Sequence, residues 1–215
     1  MAVSYTNATK YGSVIGRINT ARKFQSNGNQ AEVDAYPSLS TNSYAYLNIG
    51  FSPSSIFPSF RSGFDYNRSL PKSFEMSAGI RFLKFTSADV YIFTGHLGKY
   101  YGNYWFSARP YVTPSNTGTS VSGQFIARRY LSSAEHYLSL QIGYGTSPDD
   151  RIINLNPDLK STEARLKAKR IKLEYTQIVF KYWNYNIGLA YENEEWRTNT
   201  FRDVVTVGFG LSRML

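Results

Sequence analysis

Two histidines, His96 and His136, and no cysteine bound the chemistry open to this 215-residue chain. Thiolate nucleophiles, disulfides and the common zinc motifs are excluded, and two imidazoles are too few for a histidine-built metal site. A serine hydrolase would need a Ser within hydrogen-bond reach of a His that a carboxylate or amide orients. His136 has Ser139 three residues on, which in an extended chain lies on the opposite face, with Glu135 beside it at an expected turn. His96 has Thr94 on its own face and no neighbouring serine. Both read as wall or girdle histidines. Glu32 and Asp34 share one face of an extended segment and could do acid/base work on sugars. Carboxylates so placed are more often matched by basic neighbours, for which Lys23 is the candidate. Gly95-His96-Leu97-Gly98 lacks the strand–loop–helix setting in which backbone N–H groups cradle phosphate. No catalytic residue, metal ligand or cofactor is therefore expected.

Charge offers a further possibility. Lys and Arg number 24 against 15 Asp and Glu, a net charge of +9, and Lys167, Lys169, Arg170 and Lys172 cluster. Such a cluster permits nucleic-acid binding. Placed after a long loop, it equally suits the anionic phosphates of a membrane surface, and no nucleic-acid partner is expected. Aromatic residues reach 16%, with 18 tyrosines, while charged residues stop at 18%, below the usual quarter or so. No apolar run approaches the 18 or so residues of a membrane helix.

The elements that must position these residues have a period of two. Trp183, Tyr185, Ile187, Leu189 and Tyr191 alternate with Asn184, Asn186, Gly188, Ala190 and Glu192, so the two faces meet different surroundings. Similar alternation recurs along the chain, broken by turn signals such as Ser40-Thr41-Asn42-Ser43, Leu70-Pro71-Lys72-Ser73 and Tyr101-Gly102-Asn103. Twelve strands are expected, over 11–24, 30–40, 43–52, 61–70, 73–86, 89–100, 103–113, 119–131, 136–146, 163–177, 181–193 and 202–215, after an N-terminal extension of residues 1–10. Residues 160–176 also carry a helical stripe, Ala164, Ala168, Ile171 and Tyr175. As a strand the segment changes phase near Lys169-Arg170 and requires a bulge.

An even number of strands joined by hairpins closes most simply as an up-and-down barrel. The polar faces carry charges of both signs and mixed size flanked by glycines, which suits a packed polar interior with apolar residues turned outward to lipid. The expected lumen-lining residues are Arg17, Glu32, Asp34, Tyr46, Asp65, Glu75, Arg81, Trp105, Arg109, Tyr111 and Arg128. Asp65 and Arg81 lie diagonally across one hairpin, close enough to pair. Tyr36, Tyr44, Tyr100, Tyr101, Tyr104, Trp105, Tyr130, Tyr137, Tyr182 and Trp183 gather near strand ends, as interfacial girdles do. The reading is thus all-β, a twelve-stranded antiparallel up-and-down transmembrane β-barrel of residues 11–215. Its termini would be periplasmic, its 53–60 and 147–162 loops outside, and its lumen narrow and basic.

Several linked strings then resemble a known family: Gln30-Ala31-Glu32-Val33-Asp34-Ala35-Tyr36-Pro37, Phe57-Pro58, Phe74-Glu75 with Ala78-Gly79, Thr94-Gly95-His96-Leu97-Gly98-Lys99-Tyr100, Gly102-Asn103-Tyr104-Trp105, Arg109-Pro110-Tyr111-Val112-Thr113-Pro114, Arg128-Arg129-Tyr130 and Gly143-Tyr144-Gly145-Thr146-Ser147-Pro148. Together, from about residue 12 onward, the chain resembles the YaiO-type outer-membrane β-barrel family. The resemblance implies an integral bacterial outer-membrane barrel found in surface-glycan contexts or joined to periplasmic repeat segments, and it carries over no catalytic residue. The expected partners are outer-membrane lipids including lipopolysaccharide, a glycan, and periplasmic repeat proteins. A non-enzymatic conduit or docking barrel for glycan export or assembly is the leading function, with a barrel enzyme acting on lipid or glycan as its rival. Two departures stand out. Met1-Ala2-Val3-Ser4 is unlike a secretory signal, so a mature or trimmed chain is expected, and Arg213-Met214-Leu215 lacks a final aromatic.

Overall fold

The computed structural model describes residues 1–23, 26–86, 88–115, 118–145, 167–179, 183–197 and 200–213. Among these, thirteen strands form one antiparallel sheet in chain order. They are β1 (Ala2–Thr9), β2 (Gly12–Lys23), β3 (Ser26–Ser40), β4 (Ser43–Phe51), β5 (Phe60–Leu70), β6 (Phe74–Lys84), β7 (Asp89–Tyr101), β8 (Tyr104–Thr113), β9 (Ser120–Ser133), β10 (His136–Tyr144), β11 (Ala168–Val179), β12 (Trp183–Arg197) and β13 (Thr200–Arg213). Each strand pairs with its neighbours in sequence, so the meander expected from the turn signals is present. At the β7–β8 turn Gly102 takes φ +54°, the left-handed region that glycine enters without steric cost.

The strand count corrects the expectation of twelve. Residues 1–10, set apart as an extension, contain β1, which pairs with β2 in unbroken register from Ala2↔Asn19 to Thr9↔Gly12. Apolar alternation could not reveal it, because Ser4, Thr6, Asn7 and Thr9 leave neither face apolar. The odd count also places the termini at opposite ends of the sheet. The Met1 amino group donates to the Thr20 carbonyl at 2.8 Å, by the β2–β3 connection, whereas Arg213 pairs with Trp183 at the other end. Among the described residues no ladder joins β13 to β1, and the sheet is open between them.

β11 is a strand, as expected, but it starts at Ala168 and runs in continuous register against both β10 and β12. The bulge expected near Lys169-Arg170 is absent. Lys169 instead takes an apolar-face position at the exposed strand end, which costs little where a long side chain can reach water. The beginning of the expected strand, 163–166, and the loop 147–162 lie outside the described residues, as do Tyr182 and the turn 180–182.

Burial is inverted relative to a water-soluble fold. Gln30, Glu32, Asp34, Asn48, Arg61, Asp65 and Glu192 are buried, while Val33, Leu47, Ile49, Phe64, Phe93, Leu97 and Leu189 are exposed. Period-two alternation places these two sets on opposite faces of the same strands. The sheet curls toward its polar face, because side chains there reach across intervening strands: Arg61 of β5 meets Glu32 of β3, and Arg109 of β8 meets Asp65 of β5. Among the described residues no helix is long and apolar enough to cross a membrane, which says nothing about strands.

Candidate functional site

The polar face is layered along the strands. At the end carrying the β4–β5 connection it is apolar. Ile56 and Phe57 of that connection fold inward and pack on Ala21, while Leu83, Ile92 and Tyr111 bury one another beside Phe85 and Val90. Leu83 and Ile92 are 0% and 1% exposed. The connection is pinned by Ser52 Oγ donating to the Asn29 carbonyl at 2.6 Å and by Ser59 N–H donating to the Lys84 carbonyl at 2.8 Å.

Below this layer lies a belt of ion pairs. Glu32 meets Arg61 at 3.2 Å and Arg17 at 3.6 Å and accepts from Asn19 Nδ2 at 2.9 Å. Asp34 meets Arg17 at 3.1 Å and accepts from Tyr46 Oη at 3.0 Å and Asn48 Nδ2 at 2.6 Å. Asp65 accepts a bidentate pair from Arg81, 2.8 Å and 2.7 Å, and a third bond from Arg109 at 3.4 Å. The Arg81 guanidinium also lies 4.8 Å from the centre of the Tyr46 ring, which joins the two halves of the belt. A carboxylate at low dielectric is tolerable only when paired and hydrogen-bonded in this way. Among the described residues Arg17 is the cation that Glu32 and Asp34 share; the side chain of Lys23, the expected partner, lies outside them. Arg17 stands directly opposite Glu32 in the β2–β3 ladder.

Local sequence makes room for these groups. Gly79 stands opposite Asp65, and a Cβ there would run into the Asp65 carboxylate and the Phe64 carbonyl. Gly63 stands opposite Arg81 and lies under its side chain, so two glycines on one hairpin admit the diagonal ion pair. Gly50 does the same beneath Glu32 and Arg61, and Gly98 beneath Glu75.

At the end with the short turns the polar face becomes aromatic. Trp105 Nε1 donates to Glu75 Oε1 at 2.7 Å, and His96 Nε2 stands 3.7 Å from the same oxygen. Arg128 lies between rings, its guanidinium carbon 4.0 Å from the centre of Tyr137, 5.1 Å from Trp105 and 5.9 Å from Tyr130. Part of the expected girdle is corrected here. Tyr36, Tyr44, Tyr100, Trp105, Tyr130 and Tyr137 share the polar face, whereas Tyr101, Tyr104 and Trp183 share the apolar one. The reason is the pleat: Tyr100-Tyr101 and Tyr104-Trp105 are adjacent pairs, and adjacent residues point to opposite sides.

All eleven residues expected to line a lumen lie on the polar face. The structure gathers Arg17, Glu32, Asp34, Tyr46, Asp65, Arg81 and Arg109 into the belt, puts Tyr111 in the apolar layer and leaves Glu75, Trp105 and Arg128 at the aromatic end. Sequence reasoning missed Arg61, which is 5% exposed, because it opens its strand beside a loop. It also missed the pairs Arg170–Glu192, at 3.8 Å, Arg202–Glu194 and Lys172–Glu174 on the later strands.

On the other side of the wall, His136 has a serine after all. Ser132 Oγ lies 2.6 Å from Nδ1 across the β9–β10 turn, and Tyr175 Oη lies 3.0 Å from Nε2. Tyr175 Oη donates to Gln177 Oε1 at 2.7 Å, so its oxygen is left to accept from Nε2–H, and Nδ1 is left to accept from Ser132. Spacing along the strand points to Ser139, on the far face, whereas the β9–β10 hairpin folds Ser132 back onto the imidazole. His96 faces Glu75 and Trp105, and among the described residues no serine hydrogen-bonds to it. Among the described residues no group of three His, Asp or Glu side chains could hold a metal ion.

A family model described as "YaiO membrane beta barrel domain" matches residues 1–150, which include β1 to β10 and the entire belt from Arg17 to Arg109. No curated protein and no solved structure matches the chain.

Proposed function

The chain belongs to the YaiO membrane β-barrel domain family, and on that premise we propose that it is an integral barrel of the bacterial outer membrane. It acts there as a non-enzymatic conduit or docking barrel with a narrow basic lumen, serving export or assembly of a surface glycan. Its outer wall contacts membrane lipids, including lipopolysaccharide, and its periplasmic mouth meets repeat proteins. The observation that carries the reading is the inverted burial: ion pairs occupy the concave face while Val33, Leu47, Ile49, Phe64 and Leu97 face outward. A sheet so patterned suits hydrocarbon outside and a polar passage inside. The apolar layer at one end and the belt behind it support a passage far narrower than a general porin. Planar-bilayer recording tests this reading. Small conductance steps with anion preference are expected, and large steps without preference would overturn it.

A second reading is favoured by one observation, the Ser132–His136 contact. Its polarity, with Nδ1 accepting from the serine and Nε2–H given to Tyr175, is that of a hydroxyl activated by a base. The pair lies at the rim of the outer wall, where an ester of a membrane lipid could reach it. Fluorophosphonate labelling of Ser132, with lipid turnover lost in His136→Ala, would replace the conduit by a surface hydrolase. No labelling is expected if the contact only fastens the β9–β10 hairpin to β11.

A further inference from the structure

The aromatic end of the polar face differs from the belt in one respect: its cation has rings around it and, among the described residues, no carboxylate within ion-pair distance. We propose that Arg128, with Trp105, Tyr137, Tyr130 and Glu75, forms a subsite for an anionic sugar unit, one whose carboxylate or phosphate meets the guanidinium. This rests on the conduit reading and names the class of solute that the passage recognises.

A guanidinium offers five N–H donors in a plane. Packing its faces on Tyr137 and Trp105 stabilises the charge through the ring quadrupoles but satisfies none of those donors. Among the described residues Arg128 Nε is buried with no hydrogen-bond partner, and no carboxylate lies within ion-pair distance of the group. The nearby acid, Glu75, is taken up by Trp105 Nε1 and His96. An oxyanion is the group that completes such a fork, because it accepts two parallel charge-assisted bonds. Sugar chemistry follows from the surroundings. Tyr100 and Trp105 stand 6.3 Å apart as ring surfaces against which the C–H face of a pyranose can pack. The Tyr100 and Tyr130 hydroxyls and the Glu75 carboxylate can exchange hydrogen bonds with sugar hydroxyls. The site is also reachable. Arg128 pairs with Ser139 close to the β9–β10 turn, and Tyr100 is 44% exposed.

The test uses the full chain refolded in detergent, with Trp183→Phe and Trp196→Phe leaving Trp105 as the single indole reporter among three tryptophans. A glucuronate-containing tetrasaccharide, a neutral glucose tetrasaccharide and inorganic phosphate are titrated in turn. A saturable change in Trp105 emission is expected with the acidic sugar, at about tenfold or more higher affinity than with either the neutral sugar or phosphate. Arg128→Gln should lose that preference, and Arg128→Lys should keep part of it, since the charge remains but the fork does not. Tyr137→Leu, which leaves the cation in place, should weaken binding severalfold, and it provides a second reading should Arg128→Gln fail to fold. Equal binding of acidic and neutral sugars, phosphate binding as tightly as the sugar acid, no saturable response, or a folded Arg128→Gln protein with unchanged affinity would each overturn the proposal. Failure of the conduit is read separately: a barrel that conducts without binding loses only the subsite, and one that binds without conducting loses only the passage.

Discussion

Asp65 and Arg128 sit on the same face of the same sheet, yet the chain treats them in opposite ways. Asp65 has two guanidinium groups, Arg81 and Arg109, and is 3% exposed. Arg128 has three aromatic rings and no carboxylate among the described residues. A charge whose every partner is supplied by the chain is part of the scaffold, because nothing from outside can improve its surroundings. One with donors to spare can still gain from a solute. The contrast separates what holds the wall together from what the wall can recognise, although both positions are polar, inward and basic in their neighbourhood.

The largest expected effect follows directly. Asp65→Ala removes the acid that Arg81 and Arg109 share and leaves the two guanidinium groups facing each other over a small side chain. Breaking a buried pair from one side costs about 3–5 kcal/mol, so the folded form should lose much of its resistance to urea and its heat-shifted band on SDS gels. Arg128→Gln should cost less, about 1–2 kcal/mol, since it removes ring contacts and no ion pair. Similar losses from the two variants would erase the distinction.

Next in size is Gly79→Val. The new side chain would enter the space of the Asp65 carboxylate and the Phe64 carbonyl, and overpacking of this kind costs about 1–3 kcal/mol. It should weaken the bidentate Arg81–Asp65 pair without removing a charge. A Gly79→Val protein as resistant to urea as the parent would show that the belt adapts more readily than the fitted hairpin implies.

These positions also show how far the sequence could be read. The Arg81–Asp65 diagonal was legible because a hairpin with a short turn fixes register, and register with the pleat fixes which side chains are diagonal neighbours. The Arg109–Asp65 contact was not, since it spans β5 to β8 and depends on how tightly the sheet curls. Trp105, Tyr130 and Tyr137 all read as girdle residues from their place near strand ends, and only Trp105 also reads as facing inward, because strand-end position says nothing about face. β1 escaped for a different reason. Its pairing rests on backbone hydrogen bonds to β2, which polar and apolar residues make equally well, so no alternation announces it. The His136–Ser132 contact needed the geometry of one turn, which residue spacing along a strand does not supply.

A smaller effect is expected on permeation. Arg81→Ala and Arg109→Ala each leave Asp65 with one guanidinium, so the fold should survive while the belt loses bulk and positive charge. Single-channel conductance should rise and anion preference fall, with Arg109→Ala the milder change because its contact is the longer, 3.4 Å against 2.7 Å. If both variants conduct as the parent does, the belt does not limit passage and serves the wall alone.

The smallest effect is expected at the seam, where the same contrast between satisfied and unsatisfied groups holds for the backbone. β1 and β13 each have one unpaired edge among the described residues, and their outer side chains are correspondingly bare: Val207 is 75% exposed and Phe209 70%, against 46% for Val33. Hydrocarbon does not tolerate a row of unpaired backbone groups, so in a bilayer the seam must close. Strands an even number apart in a meander run the same way, which makes a β13–β1 joint parallel, whereas β13 against β2 would be antiparallel and would enclose an even number of strands. β1 holds the β2 edge in the open sheet through eight residue pairs, and its own residues are all exposed, so it buries little of itself there. Deleting residues 1–10 should therefore leave urea resistance and the heat-shifted band unchanged within about 0.5 kcal/mol, the usual range for changes away from packed or paired groups. A cysteine pair placed across β2 and β13 should then cross-link in the refolded protein. Loss of folding on deletion would instead make β1 a full stave of the wall and the seam a parallel one.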